Sequence, residues 1–433
     1  MSQISISEYK LNSDNLEISF NSNSNSSSSS SSDIKSSKFH FIWLRDYCHC
    51  EQCYMKVTEQ RLINTFELSI DIIPKEIKIN SINNELSIVW DKSFTPKSQQ
   101  DTELDKDQDH LTIFKIDWLF NHSYYPHLNS NFKNLIQFDN GKLNRKFWDV
   151  ESIESNIPTV QFQDVMSNDK SVGDWCSKIY KFGFCIVDNV PISPIDTEAL
   201  INRISFIQPT HYGGFWDFTS DLKVHDAAYT NIAIPLHTDG TYFSEPSGLQ
   251  LFHLLKHDGE GGDTTIADGF HVAHTLKKNF PEYYDILTKV KLSFHSAGEP
   301  GIFMEPNTSR SIIELNPLTN EVEMIRWNTS DRSSFMNFSN FSTSDNNDGG
   351  EILPLFYKAM FKFHEILESS KFEFWYKLKP GQCLIFDNWR VLHSRKTSFT
   401  GERRMCGAYI NRDDFISRLK TLNIKRDDLL NSL

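Results

Sequence analysis

Residues 381–396 read GQCLIFDNWRVLHSRK, in which an apolar run ends at a polar turn and is followed shortly by His393. An apolar run of this length, bounded by turn-forming residues, is typical of a buried strand. Three further segments share this character: SGLQLFHLLKH (247–257), DTTIADGF (263–270) and MCGAYIN (405–411). Many strands in one stretch of chain predict an antiparallel sandwich or barrel.

Two other segments show the wider apolar spacing of helices. Residues 352–369, ILPLFYKAMFKFHEILES, predict one long helix. Residues 172–190, VGDWCSKIYKFGFCIVDNV, predict a helix that leads into an apolar strand. The predicted fold class is therefore mainly β with helices.

The N-terminal part of the chain differs from the rest in composition. The tract from Asn21 to Ser32 is almost entirely Ser and Asn, which cannot bury apolar surface and predicts a disordered tether. After it, short runs with alternating apolar residues predict the strands of a small β-rich domain. These runs are ELSIDI (67–72), EIKIN (76–80) and LSIVW (86–90).

The predicted organisation has four parts within 433 residues, a length that allows one large domain or two of ordinary size. The parts are a disordered tail (1–37), an N-terminal β domain (38–125), a linker (126–156) and a large C-terminal domain (157–433). Polar stretches at 95–109 and 339–350 interrupt better-patterned sequence, and we interpret them as surface insertions.

Charge and hydropathy exclude several classes of protein. A formal net charge of −13 argues against a general nucleic-acid surface, which needs a basic face to neutralise phosphates. No stretch approaches the roughly 20 apolar residues that span a bilayer, so no membrane segment is expected. The N-terminus lacks a basic start before an apolar run, and its acidic residues Glu8, Asp14 and Glu17 disfavour a mitochondrial presequence. A cytoplasmic location is expected, with mitochondria as the alternative.

Two distant segments carry side chains that could share one metal ion. IPLHTDGTYF (234–243) places His237 and Asp239 two positions apart, on one face if the segment is a strand. His393 follows its own apolar strand much later in the chain. Two imidazoles and one carboxylate form the facial set that holds non-haem Fe(II) and leaves coordination positions open. A His-x-Asp pair arises often by chance, so a surface turn is the alternative for the pair alone.

A Gly-rich turn and a pair of arginines strengthen the interpretation as an iron site. GGDTTIADG (261–269) places Thr264 at the entry to a strand, and Arg403 and Arg404 precede another strand. An iron oxygenase that uses 2-oxoglutarate needs a guanidinium near the metal to bind the far carboxylate in a bidentate fork. Because successive strand residues face opposite sides, only one arginine should point inward, and we predict Arg403. A solvated surface turn is the alternative for the arginine pair.

Together these motifs resemble the Fe(II)- and 2-oxoglutarate-dependent oxygenases of the taurine and gamma-butyrobetaine dioxygenase group. The resemblance runs from about His40 to Leu419 and includes GGDT and DNWRVLH. Segments that narrow it to the carnitine-pathway branch are WLRDYC (43–48), THYGGFWDFTSD (210–221), AYT (228–230) and LKPGQCLIFDNWRVLHSR (378–395). The resemblance implies a double-stranded β-helix (jelly-roll) catalytic domain, in which Thr264 assists Arg403 in binding 2-oxoglutarate.

The same resemblance implies a cage for a trimethylammonium group. This cation offers no hydrogen bond, and aromatic faces can hold it through their quadrupoles. Four aromatic residues match the cage positions of the family: Tyr212, Trp216, Tyr229 and Tyr409. Ordinary core packing is the alternative for any one of them.

Asp226, three residues before Tyr229, bears on the choice between two substrates of this branch. Gamma-butyrobetaine ends in a carboxylate alone, whereas trimethyllysine also carries an α-ammonium group. A carboxylate at position 226 suits the ammonium and repels a lone carboxylate. The implied reaction is hydroxylation of free N6,N6,N6-trimethyllysine at carbon 3, with 2-oxoglutarate and O₂ giving succinate and CO₂. Gamma-butyrobetaine hydroxylation is the alternative, and a turn-capping role stays open for Asp226.

Three of the seven cysteines lie close together, at Cys48, Cys50 and Cys53. In a reducing compartment this spacing predicts a metal site before it predicts disulfides. The segment HLTIFKIDWL resembles the zinc-histidine context of the family, which implies His110 as the fourth ligand rather than His49, whose two neighbours are already ligands. Four protein ligands leave no open position, so such a zinc would be structural. Three unliganded thiols are the alternative.

Further expectations concern cofactors and partners. The resemblance implies ascorbate as a cofactor, a homodimer, and a small quaternary-ammonium amino acid as the substrate. Neither nucleic acid nor a membrane is expected as a partner. Two alternatives belong to other classes: a metal-binding jelly-roll without turnover, and a zinc-finger-like interaction protein, which leaves the His237, Asp239 and His393 set unexplained.

Overall fold

The computed structural model describes residues 4–21, 34–92, 109–129, 143–219, 233–337 and 349–431. The chain divides into two compact units, the first formed by residues 1–140 with 430–433 and the second by residues 141–429. Among the described helices, none combines the length and the apolar character that crossing a membrane requires.

The first unit consists mainly of short antiparallel strands. Its elements are β1 (Ser5–Leu11), β2 (Asn15–Asn21), β3 (Ile34–His40), α1 (Phe41–Asp46), β4 (Tyr54–Met55), β5 (Gln60–Arg61), a 3₁₀ turn (Thr65–Glu67), β6 (Pro74–Asn80), β7 (Glu85–Trp90), β8 (His110–Lys115) and α2 (Ile116–Asn121). They form two three-stranded sheets, β1-β2-β3 and β6-β7-β8, and the small β4-β5 hairpin. The predicted β-rich N-terminal domain is confirmed in its described part.

The first strands correct the prediction that residues 1–37 form a disordered tail. Leu16, Ile18 and Phe20 of β2 are fully buried and belong to the same core cluster as Leu86 and Ile88 of β7. Alternating apolar residues on one face drive this burial, and the Ser- and Asn-rich composition next to them concealed the pattern. Residues 22–33, which include most of the Ser/Asn tract, lie outside the described residues.

One of the predicted strands of this unit was wrong, and most of the two predicted surface insertions lie outside the described residues. ELSIDI (67–72) follows the 3₁₀ turn without joining a sheet, and its Ile70 is 82% exposed. Alternation alone did not make a strand there, because no strand in the described part of the unit pairs with it. Of the stretches 95–109 and 339–350, the structure describes only Asp109 and the helix start at Gly349–Gly350.

The second unit combines a double β-sheet with helices. Its elements up to the middle of the sheet are α3 (Val150–Glu154), β9 (Thr159–Gln161), α4 (Phe162–Ser167), α5 (Asp169–Phe182), β10 (Phe184–Asp188), α6 (Pro194–Asn202), β11 (Trp216–Thr219), β12 (Ile234–His237), β13 (Leu249–His257), β14 (Thr264–Asp268), α7 (Gly269–Asn279) and α8 (Pro281–Lys289). The remaining elements are β15 (Lys291–Phe294), β16 (Ile313–Leu315), β17 (Val322–Ile325), β18 (Arg332–Asn337), α9 (Gly349–Leu367), β19 (Phe374–Tyr376), β20 (Cys383–Asp387), β21 (Val391–Arg395), β22 (Arg403–Ile410), α10 (Arg412–Asn423) and α11 (Arg426–Leu430).

Two sheets form the centre of this unit. The larger has the order β11-β22-β13-β20-β10-β9, and the smaller has the order β12-β21-β14-β19. Phe184 and Phe386 from the larger sheet share one buried cluster with Ile266 and Phe374 from the smaller sheet. All the strand pairs within these two sheets are antiparallel except β9 with β10, which is parallel. Two largely antiparallel sheets that pack around a common core make a jelly-roll. The predicted fold class is confirmed, as are the strands at 381–396 and the helices α5 and α9.

The boundary between the units differs from the predicted linker at 126–156. Trp148 is 1% exposed, and its ring packs edge-on against Phe184 with centroids 5.3 Å apart. Its Nε1 donates a hydrogen bond of 2.5 Å to the carbonyl of Phe182. Residues up to 156 therefore contribute to the core of the second unit, which begins at Gly141 and not at residue 157.

A buried ion pair fixes the turn between β20 and β21. Arg390 Nε and Nη2 donate to the two carboxylate oxygens of Asp268 at 3.0 and 2.7 Å, and both side chains are fully buried. The same guanidinium donates to the carbonyls of Lys146 and Lys181. The turn that leads to His393 is thus tied to three other parts of the unit.

Candidate active site and zinc cluster

Two paired strands bring the predicted iron ligands together. His237 ends β12, and it lies directly opposite His393 of β21 in the antiparallel register. Asp239 is in the following turn rather than on the strand, which differs from the simple same-face prediction. The turn is held by Asn388, whose side chain accepts from the Asp239 backbone N–H at 2.8 Å and donates to its carbonyl at 3.0 Å.

The three side chains form a compact group of metal-ligand atoms. Asp239 Oδ1 lies 3.1 Å from His237 Nε2 and 3.9 Å from His393 Nε2. One ligand atom from each residue lies within 4.8 Å of the others. His237 Nδ1 is 2.8 Å from the Pro235 carbonyl, so it can donate there and leave Nε2 to bind a metal. Two imidazoles and a carboxylate at these distances fit the facial set of non-haem iron.

The pKa shifts of His393 and Asp239 agree with ligand roles, whereas that of His237 points the other way. Burial and the neighbouring His237 lower the pKa of His393 to about 3. Burial opposes ionisation of Asp239, but the charges of His393 and His237 outweigh it and lower the pKa of this carboxyl. Burial lowers the pKa of His237, yet the hydrogen bond and charge of Asp239 reverse the direction and raise it. A neutral imidazole and an ionised carboxylate are the forms that ligate a cation, so a metal that binds here must displace the proton that the raised pKa of His237 favours.

The triad lies in the wall of a large cavity within the second unit. The cavity has a volume of about 600 Å³, which is in the usual range for small-molecule sites. Phe252 and Phe386 also line it and pack their rings against His393, with centroids 6.0 and 4.6 Å away. Apolar walls of this kind exclude water from the reacting atoms.

One part of the cavity wall carries positive charge. Arg403 and Thr264 both line the cavity, and Arg403 is 8% exposed. Burial, and after it the charge of Arg395, lower the pKa of Arg403 to about 10. Gly262 has a φ of +72°, and a Cβ there would lie 3.3 Å from Arg403 Nε, so the Gly-rich turn leaves room for this guanidinium. Buried guanidinium groups of this kind suit a carboxylate ligand.

Arg404 faces away from the cavity. Its Nε and Nη2 donate to the two carboxylate oxygens of Asp217 at 2.8 and 2.5 Å. Asp217 lies on β11, which pairs with β22. The strand therefore separates the two arginines onto opposite faces.

Three of the four predicted cage residues line the same cavity. The Trp216 and Tyr409 rings meet edge-on with centroids 4.6 Å apart. The Tyr212 hydroxyl lies 3.0 Å from the hydroxyl of Tyr242, another residue of the wall. Asp226 and Tyr229 lie outside the described residues, so their predicted substrate roles stay predictions.

The cavity also contains residues that the sequence analysis missed. Arg395 lines the wall two residues after His393 on β21, and the strand alternation used for Arg403 could have found it. Asp331 and Asn328 line another part, where Asp331 Oδ2 accepts hydrogen bonds from Thr241 Oγ1 at 2.8 Å and Asn328 Nδ2 at 2.9 Å. No motif indicated these two residues, because their turn is ordered only by the folded chain.

The first unit contains the second predicted group of ligands. His110 Nε2 lies 3.3, 3.7 and 3.6 Å from the sulfur atoms of Cys48, Cys50 and Cys53. Around a tetrahedral zinc, the known Zn–S and Zn–N bond lengths place such atoms about 3.6 Å apart. The Cys₃His set therefore has the dimensions of a closed zinc site.

A buried arginine lies against this cluster, whose hydrogen-bonded thiols shift one another's pKa in opposite directions, up for Cys48 and down for Cys53. Arg45 is fully buried, and its Nη1 donates to Cys53 Sγ at 3.2 Å. Hydrogen bonds from Cys48 and Cys50 lower the pKa of Cys53, and the nearby Arg45 acts in the same direction. His49 was the alternative to His110 as the fourth ligand. Its ring packs against Tyr54 with centroids 4.7 Å apart, and it is absent from the group of ligand atoms in the described chain.

Two family models match the chain. The model described as "Taurine catabolism dioxygenase TauD, TfdA family" matches residues 145–409. The model described as "Gamma-butyrobetaine hydroxylase-like, N-terminal" matches residues 8–98, a range that begins within β1.

Named relatives match over most of the chain. Trimethyllysine dioxygenase of Meyerozyma guilliermondii is 45% identical over 402 residues, which cover 92% of this chain and 94% of that protein. Human mitochondrial trimethyllysine dioxygenase is 32% identical over 395 residues, which cover 90% of this chain and 83% of that protein. Human gamma-butyrobetaine dioxygenase is 27% identical, with 90% of this chain and 92% of that protein covered.

Proposed function

The chain belongs to the TauD, TfdA dioxygenase family and is a relative of the trimethyllysine dioxygenases, and from this premise we propose that it hydroxylates free N6,N6,N6-trimethyllysine at carbon 3. This reaction is the first step of carnitine biosynthesis. Membership makes the chain an enzyme that depends on Fe(II) and 2-oxoglutarate. The observation that carries the proposal is a single cavity that contains the His237, Asp239 and His393 triad, a cationic wall and clustered aromatic rings.

Each part of the cavity has a task in this reaction. His237, Asp239 and His393 would hold the iron, which supplies oxygen activation when it is bound. Arg403 would bind the far carboxylate of 2-oxoglutarate as a fork, and Thr264 would add a hydroxyl hydrogen bond. Both groups keep the co-substrate in one orientation, so that its keto acid end faces the triad while it is converted to succinate and CO₂.

The aromatic wall suits the charged tail of the substrate. Tyr212, Trp216 and Tyr409 present ring surfaces in the described part of the cavity, and Tyr229 is the fourth proposed member. A desolvated cation over such rings gains electrostatic stabilisation without any hydrogen bond. The tail would be held at one end while carbon 3 faces the metal.

The amino-acid end of the substrate would be recognised by carboxylates. We propose Asp226 as the partner of the α-ammonium group, which gamma-butyrobetaine lacks. In the described wall, Asp331 offers a second carboxylate, and its contact with Thr241 places it beside the turn that holds Asp239. Since the α-carbon is bonded directly to carbon 3, an ammonium partner must lie close to the metal ligands.

The decisive experiment is a substrate panel with equal amounts of enzyme, Fe(II) and 2-oxoglutarate. We expect mass spectrometry to find hydroxytrimethyllysine in large excess over hydroxylated gamma-butyrobetaine. The reverse order would establish the alternative substrate. Succinate release that requires both iron and trimethyllysine would eliminate the inactive metal-binding module.

The role of Asp226 has its own test. We expect Asp226→Asn to lower kcat/KM for trimethyllysine about tenfold or more, because an unpaired ammonium loses a charged hydrogen bond of about 1.5–3 kcal/mol. A trimethyllysine analogue without the α-amino group is the matched substrate control, and its turnover should fall far less. Unchanged efficiency with trimethyllysine would refute the role.

Four further properties are proposals that follow from the family or the sequence. They are a structural zinc held by Cys48, Cys50, Cys53 and His110, stimulation by ascorbate, a homodimer, and a cytoplasmic location with mitochondria as the alternative. Light scattering tests the dimer, and omission of ascorbate during multiple turnovers tests the cofactor. Microscopy of the full chain with a C-terminal fluorescent tag tests the location.

A further inference from the structure

Tyr409 connects the aromatic wall of the cavity to the carboxylate of the metal triad. Its hydroxyl donates a hydrogen bond of 2.7 Å to Asp239 Oδ2, while its ring packs edge-on against Trp216. Tyr409 is on β22 of the larger sheet, and Asp239 follows β12 of the smaller sheet. One side chain thus contacts a proposed cage residue and a proposed iron ligand.

The two oxygens of Asp239 therefore have different surroundings. Oδ1 faces the Nε2 atoms of His237 and His393, at 3.1 and 3.9 Å. Oδ2 is engaged by the Tyr409 hydroxyl instead. Hydrogen bonds to a ligating group from residues around it orient that group and tune its affinity for metal.

We propose that the Tyr409 hydroxyl keeps Asp239 a one-oxygen ligand and so preserves an open coordination position for the co-substrate. A facial triad leaves three positions, which a bidentate keto acid and O₂ require together. A carboxylate that bound through both oxygens would occupy one of them. The inference rests on the proposed iron site, but it does not depend on which quaternary-ammonium compound is the substrate.

Tyr409→Phe tests this role because it keeps the ring and removes only the hydroxyl. Tyr242→Phe is the matched control, since it also removes a cavity hydroxyl, but one that lies 3.0 Å from the hydroxyl of Tyr212. Mn(II) serves as a redox-stable probe, and the loss of its free-ion signal in electron paramagnetic resonance measures binding to the full chain. We expect the Mn(II) dissociation constant to rise about tenfold in Tyr409→Phe and to stay within about twofold in Tyr242→Phe.

Two further measurements separate positioning from a general loss of structure. The affinity of the Mn(II)-loaded protein for 2-oxoglutarate should fall in Tyr409→Phe and not in Tyr242→Phe. With iron, Tyr409→Phe should release more succinate than hydroxylated product, whereas the wild type keeps the two nearly equal. Thermal unfolding of the metal-free variants checks that both are folded.

Each result has a defined meaning. Mn(II) binding in Tyr409→Phe that equals or exceeds that of the wild type would overturn the inference, and so would an equal loss in both variants. Failure of the wild type to bind Mn(II) while His237→Ala binds equally little would contradict the proposed iron site itself. The failure of the inference and the failure of the proposed function are thus distinguishable.

Discussion

Arg403 and Arg404 are neighbours on β22 with opposite surroundings. Arg403 is buried in the cavity wall, whereas Arg404 is paired with Asp217 on the other face of the sheet. The two-residue period of a strand produces this separation. It also provides two variants of identical chemistry for a comparison.

Arg403→Met should raise the KM for 2-oxoglutarate by roughly 10- to 100-fold, because hydrogen bonds to a charged group contribute about 1.5–3 kcal/mol. The substituted side chain keeps much of the volume and loses the fork of donors. Steady-state kinetics at saturating trimethyllysine would measure the change, and kcat at saturating 2-oxoglutarate should fall less than kcat/KM.

Arg404→Met is the control for this prediction. It removes an exposed ion pair, which typically contributes about 0–1 kcal/mol, so the KM for 2-oxoglutarate should stay within about twofold of the wild type. A larger effect of Arg404→Met than of Arg403→Met would show that Arg403 is not the arginine that binds 2-oxoglutarate.

The residues that would bind the metal and the co-substrate were easier to predict from the sequence than the residues that hold them in position. His237, Asp239 and His393 were found because iron chemistry demands a particular donor set, and Arg403 because strands alternate. Arg395 obeys the same alternation and could have been predicted. Asn388 and Asp331 could not, because each acts through a turn whose conformation depends on tertiary contacts.

At the scale of elements, the close approach of β22 to β13 and β11 depends on Gly407. A Cβ at this position would lie 1.9 Å from the Leu251 carbonyl oxygen and 3.1 Å from the Trp216 ring. Gly407 is also the register partner of Trp216, so the missing side chain leaves space for the indole in the cavity wall. The strand can pair on both sides only with glycine here.

Gly407→Ala should destabilise the fold by about 3 kcal/mol, near the upper end of the usual cost of overpacking, because backbone atoms of a central strand cannot yield locally. Denaturant unfolding monitored by tryptophan fluorescence would measure it. Gly214→Ala is the control, since within the described chain the added Cβ would meet only Ile207 Cγ2, at an ordinary 3.7 Å. Equal stability of the two variants would contradict the proposed packing role of Gly407.

Elements were predictable where a pattern and a pairing partner coincided. The strand of residues 383–387 lies between two neighbours and reads as a continuous apolar run. ELSIDI shows alternation but has no partner strand among the described residues, whereas β2 pairs with β1 and β3 although its surroundings are rich in Ser and Asn. Pairing is a property of distant segments, so a local pattern could not decide either case.

At the scale of the whole molecule, each unit has its own group of metal ligands. We predict that the purified chain contains one zinc bound by the Cys₃His group and that Cys53→Ser loses it. A structural zinc contributes folding free energy, so unfolding of the first unit should move to lower temperature. Elemental analysis and differential scanning calorimetry would measure the two effects.

Cys185→Ser is the matched control for the zinc prediction. Cys185 is a buried cysteine of the second unit and lies outside both groups of ligands. The zinc content of this variant should equal that of the wild type, even if the substitution lowers its unfolding temperature. Full zinc content in Cys53→Ser would contradict the assignment.

The bounds of the two compact units differ from the predicted domain bounds. Composition distinguished an N-terminal β region from a larger catalytic region. Composition did not predict where either unit begins. Residues of β1 and β2 pack in the core of the first unit, and Trp148 packs in the core of the second. Burial of single large side chains, rather than average composition, decides where a unit begins.

The pairing of β12 with β21 gives the bound metal a consequence for folding. His237 lies opposite His393, and a slip of one residue would turn one imidazole to the other face of the sheet. Both imidazoles could therefore bind one ion only when the two strands pair in the native register. At a concentration one hundred times its dissociation constant, the ion would stabilise the native state by about 2.7 kcal/mol. Iron supply would then govern how long the folded enzyme persists as well as how fast it works.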